Sequence, residues 1–232
     1  MRIASNLTEM FLRSTLFVCL LAAPVFAESA REVLARMDNE SAAFGQATAR
    51  LDRVTYTAIL KDTVKETGEM RIARKGKNVL VRIEMHEPDP RSYSFDGASG
   101  LIYYPKINTV QVWDLGKNRS LVDQFLLLGF GSSGKELAKN YHITAVGEDT
   151  IAGRRATRLE LIPKSAKLKD QFVKIELWIP SDAGYAVRQK LYQPGGDYYL
   201  ITYSDVRVNP GLPDSAFRLK LPPDVKREYP QK

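Results

Sequence analysis

From Ser29 onward, apolar residues recur first at helical spacing and then, for most of the chain, at every second position. Val33, Leu34, Met37, Phe44, Ala47 and Leu51 mark one face of a helix predicted over Ser29–Leu51, with Arg31, Glu32, Arg36, Asp38 and Glu40 between them. Ser29 with Glu32 three residues on is a capping box, and Gly45 is a weak point inside the span. After Leu51 the period becomes two. Val54–Val64 reads as the first long strand, Thr67-Gly68 as a turn and Glu69–Arg74 as the next strand. Lys75–Asn78 turns into Val79–His86, which puts Val79, Val81, Ile83 and Met85 on one face and Arg82, Glu84 and His86 on the other. Pro88 and Pro90 end that strand.

Arg91–Leu115 follows as a three-strand meander. Asp96-Gly97 supplies one turn and Pro105–Asn108 the other, because Gly tolerates positive φ and Asp bonds its own backbone. Arg119–Tyr141 interrupts the strands. Its apolar run Leu121–Leu128, a stretch containing Gly129, Gly131 and Gly134, and Lys135–Asn140 read as two short helices with a Gly/Ser hinge between them. Strands resume at Tyr141–Val146, with a turn at Gly147–Thr150, then Arg155–Ile162, Phe172–Ile179, Tyr185–Tyr192 and Tyr198–Val208. A sheet of that size curls. The expected fold is mainly β with helices: an incompletely closed antiparallel β-barrel of about ten to eleven strands, covered by an N-terminal helix and a short helical lid.

The residues before this pattern carry a different signal. Arg2 and Arg13, the apolar run Leu16–Val25 and the Val25-Phe26-Ala27 end form a secretory signal peptide pattern over residues 1–27, with a single domain expected over 28–232. The run is shorter than a spanning helix requires. The only cysteine, Cys19, lies inside it, so the expected mature chain has neither disulfide nor thiol chemistry. The chain carries a net +7, of which Arg2, Arg13 and Glu9 contribute one, leaving +6. That balance favours an acidic partner, anionic lipid included. Export argues against nucleic acid, and acids interleave with the bases along the strands. Localisation in the periplasm and a monomeric state are expected.

Catalytic patterns are missing. His86 and His142 stand apart from each other and from any metal-ligand spacing. Gly131-Ser132-Ser133-Gly134 is not a nucleophile elbow, and no phosphate-cradling glycine motif occurs. The acids fall on outward strand faces, where carboxylates solvate a sheet. No enzyme activity, no catalytic residue, no metal and no cofactor is expected. The unusual feature is apolar: Phe125, Leu126, Leu127, Leu128 and Phe130 beside the glycine-rich stretch. They read either as a helix buried on all sides or as a lid over a greasy cavity, with Gly129, Gly131 and Gly134 lending mobility. Val81, Ile83, Met85, Leu159, Leu161, Ile175 and Leu177 are the expected lining, with Phe125, Leu126, Leu127 and Phe130 on the lid. Burying an acyl chain there gains about 0.8 kcal/mol per CH₂.

Two motifs resemble one family. Asp96-Gly97 ahead of an aromatic strand ending in Tyr104-Pro105 is similar to the D-G-x-x-(L/W)-x-Y-x-P segment of LolA-like outer-membrane lipoprotein carriers. Phe217–Pro223 is similar to that family's F-x-x-x-x-P-P ending. The resemblance covers about Arg31–Tyr229. It implies a periplasmic carrier that takes acylated lipoproteins from an inner-membrane ABC-type exporter and delivers them to an outer-membrane acceptor. Related folds bind other lipids or act as envelope sensors. The family commonly has an Arg-Pro pair whose Arg bonds the lid when no lipid is bound. Here that place is Arg74-Lys75-Gly76, so Arg74 or Lys75 takes the role and the Pro is absent.

Overall fold

The computed structural model describes residues 28–76, 78–116 and 119–231. The signal peptide expected over the first 27 residues lies outside them. The chain opens with α1 (Ala30–Ala43), capped by Ser29: its side chain accepts from the Glu32 amide while Glu32 accepts from the Ser29 amide. The helix ends at Ala43, eight residues before the predicted Leu51. Phe44 turns extended, and Ala47, Ala49 and Leu51 continue as a strand whose buried positions alternate. Those residues satisfy both periods over a short window, and pairing with two neighbouring strands decides for the strand.

A first antiparallel meander runs through β1 (Gln46–Thr57), β2 (Asp62–Lys75), β3 (Asn78–Met85), β4 (Arg91–Phe95), β5 (Ser99–Tyr104) and β6 (Thr109–Asp114). Then come α2 (Arg119–Leu127) and α3 (Gly134–Asn140). A second meander follows: β7 (Tyr141–Ile151), β8 (Arg154–Pro163), the single turn α4 (Ala166–Lys169), β9 (Lys174–Pro180), β10 (Arg188–Tyr192) and β11 (Tyr198–Val208). The short β12 (Lys226–Glu228) pairs parallel with β6. Among the described residues these form one 12-stranded sheet in the order β12-β6-β5-β4-β3-β2-β1-β11-β10-β9-β8-β7. The sheet is not closed: β12 and β7 are its edges. The two meanders join through β1 and β11, with Leu51 opposite Tyr203.

Two expected turns are strand interior. The first hairpin turns at Ala58–Lys61, and Thr67-Gly68 lies inside β2. Gly68 is there for close approach, since a Cβ would stand 2.3 Å from the Glu84 carbonyl oxygen on β3. Gly147 lies inside β7 at a register shift between Ala145 and Gly147, and that strand runs on to Ile151. The closing Phe217–Pro223 stretch lies against the convex side. Phe217 is buried, Ser94 Oγ donates to its carbonyl at 2.9 Å, and Arg82 donates to the Arg218 carbonyl at 2.8 Å.

α1 is anchored at its start. Glu28 pairs with Arg36 and accepts from Thr157 Oγ1 at 3.0 Å, while Arg36 also donates to the carbonyls of Ala183 (2.8 Å) and Pro180 (3.0 Å). The hydrogen bonds from Arg36, joined by the one from Thr157, hold the Glu28 carboxyl below its ordinary pKa of 4.5 against the opposing effect of burial. A carboxyl with a lowered folded-state pKa stabilises the fold above its unfolded value, and that contribution is lost as pH falls through the lowered one. Glu28→Gln should therefore reduce stability at neutral pH and make the decline below pH 4.5 shallower than in the parent. Urea midpoints measured against pH check this; identical acid limbs would remove Glu28 from the account. No helix among the described residues is long and apolar enough to cross a membrane.

Candidate lipid-binding site

The concave face of the sheet carries two apolar clusters. One joins Leu159 and Leu161 of β8, Ile175, Leu177 and Ile179 of β9 and Leu191 of β10 to Val33 and Met37 of α1 and Leu137 of α3. The other joins Ala47, Ala49 and Leu51 of β1, Met70 and Ile72 of β2, and Val79, Val81 and Met85 of β3 to Phe130 and Tyr203. Ile201 of β11 packs against both. The strict alternation of β3 and β8 puts these side chains on one side of the sheet.

Helix α2 wedges between the clusters. Phe125 packs on the first, meeting Phe172 edge to face with ring centroids 4.8 Å apart, while Leu126 and Leu127 pack on the second. The expected lining residues fall in these two clusters or pack on them: Val81, Met85, Leu159, Leu161, Ile175, Leu177 and Phe130 are buried, Ile83, Phe125, Leu126 and Leu127 partly so. Two voids flank the helix. One of about 320 Å³ lies between α2 and α3, lined by Leu127, Leu128, Leu137 and Tyr141 among others. The other, about 280 Å³, separates Val122 of α2 from Phe95, Ile102 and Trp113 on the meander.

The segment after α2 is a plug. Phe130 is 1% exposed, with its ring 4.8 Å from that of Tyr203 and stacked at 5.9 Å on Tyr185. Its backbone is held by side chains and strand ends. Gln189 Nε2 donates to the Leu128 carbonyl at 2.6 Å, the Ala186 amide to the Gly129 carbonyl at 2.8 Å, and Ser132 Oγ to the Leu127 carbonyl at 2.8 Å. Here the glycines differ from the mobile hinge that sequence implies. Gly131 has φ +84°, and a Cβ on it would stand 2.5 Å from the Phe44 ring. It permits tight burial of the backbone instead of freedom.

Arg74 sits over this plug. Its Nη2 donates to the Gly131 carbonyl and its Nη1 to the Ser41 carbonyl at 3.3 Å, with the guanidinium 5.9 Å from the centre of the Phe44 ring. Lys75 points elsewhere, pairing with Asp214 of the C-terminal stretch. Phe44, Gln189, Tyr185 and Tyr203 complete the site and escaped the sequence reading. In sequence Phe44 reads as part of a helix face, and the others carry no local signal that sets them apart from ordinary strand residues. Both histidines are exposed, and no cluster of metal-ligating side chains occurs among the described residues.

An open sheet wrapped around a helix and a plug of apolar side chains defines a class of hydrophobic-ligand-binding folds. The match is specific: the family model for the outer membrane lipoprotein carrier protein LolA covers residues 42–220, and the chain belongs to that family. Among solved structures, MucB is 16% identical with a TM-score of 0.52, covering 82% of this chain and 62% of its own. The chain thus spans about three fifths of MucB's length. An uncharacterized conserved protein from Thermus thermophilus is 14% identical with a TM-score of 0.52, covering 86% of this chain and 98% of its own. At such identities these two share the fold. No curated protein sequence matches the chain.

Proposed function

We propose that the protein is a periplasmic carrier that shields the acyl chains of lipoproteins, taking them from an inner-membrane ABC-type exporter and passing them to an outer-membrane acceptor. The observation that carries this reading is the identity of what fills the concave face: a short amphipathic helix and a buried loop, not a second layer of sheet. Membership in the lipoprotein carrier family supports it. Acyl chains can replace Phe125, Leu126, Leu127 and Phe130 against the same apolar wall. A chain of about sixteen carbons gains roughly 13 kcal/mol at about 0.8 kcal/mol per CH₂. Uncovering four large side chains costs about 1.5–3 kcal/mol each at full exposure, so loading is favourable without catalysis. The leader over residues 1–27 would deliver the chain to the periplasm, and mass spectrometry of the exported protein should find Glu28 at its start.

In this reading Arg74 is the latch. Its hydrogen bonds to the Gly131 and Ser41 carbonyls exist in the closed form, and bonds to a charged group contribute about 1.5–3 kcal/mol each. Arg74→Leu should lower the stability of the unloaded protein and raise its affinity for a neutral fluorescent hydrophobic probe by roughly tenfold, because less closed state must be overcome. Probe titration checks this; unchanged affinity would leave Arg74 a structural residue.

Mass spectrometry of molecules that copurify with the protein from envelope extracts tests the cargo. Acylated peptides support lipoprotein carriage, and phospholipid alone points to a carrier of other lipids. Transfer to acceptor membranes provides the second readout. A carrier releases its load there, whereas a sensor of the same ligand retains it and alters its protein contacts.

A further inference from the structure

The apolar concave face carries a charged trio at one end. Arg53 follows Leu51 by two residues in β1, so the two share a face, and its register partners are Ile201 and Glu66. Arg91 lies opposite Met85, and two residues on Tyr93 packs with the β1–β3 cluster. Glu66 is 5% exposed, yet it belongs to this face and not to a solvated one. Its Oε2 accepts from Arg53 Nε at 2.8 Å and from Arg53 Nη2, and its Oε1 meets Arg91 Nη2 at 2.6 Å.

Arg91 is fully engaged. Its Nε donates to the Tyr93 hydroxyl at 2.6 Å, and its Nη1 to the Asp89 carbonyl at 2.9 Å and to the Asp89 carboxylate at 3.5 Å. Asp89 is exposed and also pairs with Lys106 at 3.4 Å. Arg53 is not: among the described residues its Nη1 donates to no protein acceptor. Within the trio two cations share one buried carboxylate, and Arg53, whose side chain is 21% exposed, keeps its Nη1 open for an anion. A carrier of neutral acyl chains has no use for it.

We propose that Arg53, with Arg91 and Glu66 behind it, is a headgroup site for the phosphate of an anionic amphiphile whose tail lies along the concave face. Arg53 Nη1 donates to a phosphate oxygen, Glu66 fixes the guanidinium plane, and Arg91 holds Glu66. The tail runs from Ile201 and Met85 toward the voids that flank α2. The same end of the sheet exposes Ile59 and Leu60 at the β1–β2 turn, at 90% and 71%, which suits an amphiphile better than a free anion. The tail's place rests on the lipid-binding reading above; the anion site does not.

Displacement of a bound neutral naphthylamine probe by dodecyl phosphate and by dodecanol separates head from tail. Dodecyl phosphate should displace the probe from the parent protein at a concentration about tenfold lower than dodecanol does. Arg53→Gln should bring the two within about twofold and leave dodecanol unchanged. Glu66→Gln keeps an amide oxygen to place the guanidinium while removing the competing charge, and should widen the preference by about threefold or more, a gain that misfolding cannot produce. Equal potency of the two amphiphiles on the parent overturns the headgroup site and leaves the lipid-binding reading standing. A probe that neither amphiphile displaces overturns both. Calorimetric binding of inorganic phosphate, lost in Arg53→Gln, supports the anion site and assigns it to free phosphate when dodecyl phosphate shows no advantage from its tail.

Discussion

Phe130→Ala is expected to lower the stability of the unloaded protein by about 3–5 kcal/mol, the range for truncating a buried aromatic. The ring is enclosed by Tyr185 and Tyr203 and by the β1–β3 cluster, and the plug backbone is fastened at Leu128, Gly129 and Gly131, which limits collapse into the vacated space. The loaded form should behave differently. If acyl chain takes the place of the Phe130 ring, the variant loses in the empty state what it never had in the loaded one. The rise in urea midpoint on adding ligand should then be larger in Phe130→Ala than in the parent. An equal loss with and without ligand would mean that Phe130 stays in place on loading, and the plug would be ordinary core.

Leu127→Glu should abolish binding of a neutral hydrophobic probe while far-UV circular dichroism shows the sheet intact. Leu127 is half-buried, packs with the β1–β3 cluster and borders the void between α2 and α3. A carboxylate there faces the apolar cluster, with Lys139 on the rim of the neighbouring void as a cation it can reach only by turning away from the ligand, and desolvating it against hydrocarbon costs several kcal/mol. In the empty protein α2 can turn the introduced carboxylate toward water, so the fold survives. In the loaded protein it would face the ligand, and the penalty falls on binding. At least a tenfold loss follows from about 1.4 kcal/mol of such penalty. Unchanged probe affinity would take α2 out of the site.

Much of this arrangement is legible in the chain. The alternation of Val79, Val81, Ile83 and Met85, the Asp96-Gly97 turn and the capping box at Ser29 each depend on neighbours a few residues away, and each appears in the structure as read. The apolar run at Phe125–Phe130 already marks the segment that fills the site. The errors are also local in origin. Thr67-Gly68 has the composition of a turn, but Gly68 answers to the Glu84 carbonyl on the adjacent strand, which no sequence window contains. The glycines of the plug read as freedom because flexibility is their usual meaning; Gly131 instead yields room to Phe44, 87 residues earlier. Arg53 and Glu66 break the inward apolar pattern, and with the first hairpin turn misplaced their face could not be told.

Period and turn chemistry, which are properties of adjacent residues, determined from sequence that the protein is a large antiparallel sheet with a helix before it and an apolar interruption within it. They also determined which side chains share a face within the strands whose turns they placed, β3 among them. Tertiary structure alone decided that β1 pairs with β11, so that two meanders become one wall and the clusters holding Val81 and Leu177 line one concave face, bridged by Ile201. It alone decided that Arg74, not Lys75, lies over the plug, and that a charged trio stands at the end of an apolar face. Side-chain period is a backbone property set within a few residues, whereas strand order and the bend of a sheet depend on contacts between segments distant in the chain.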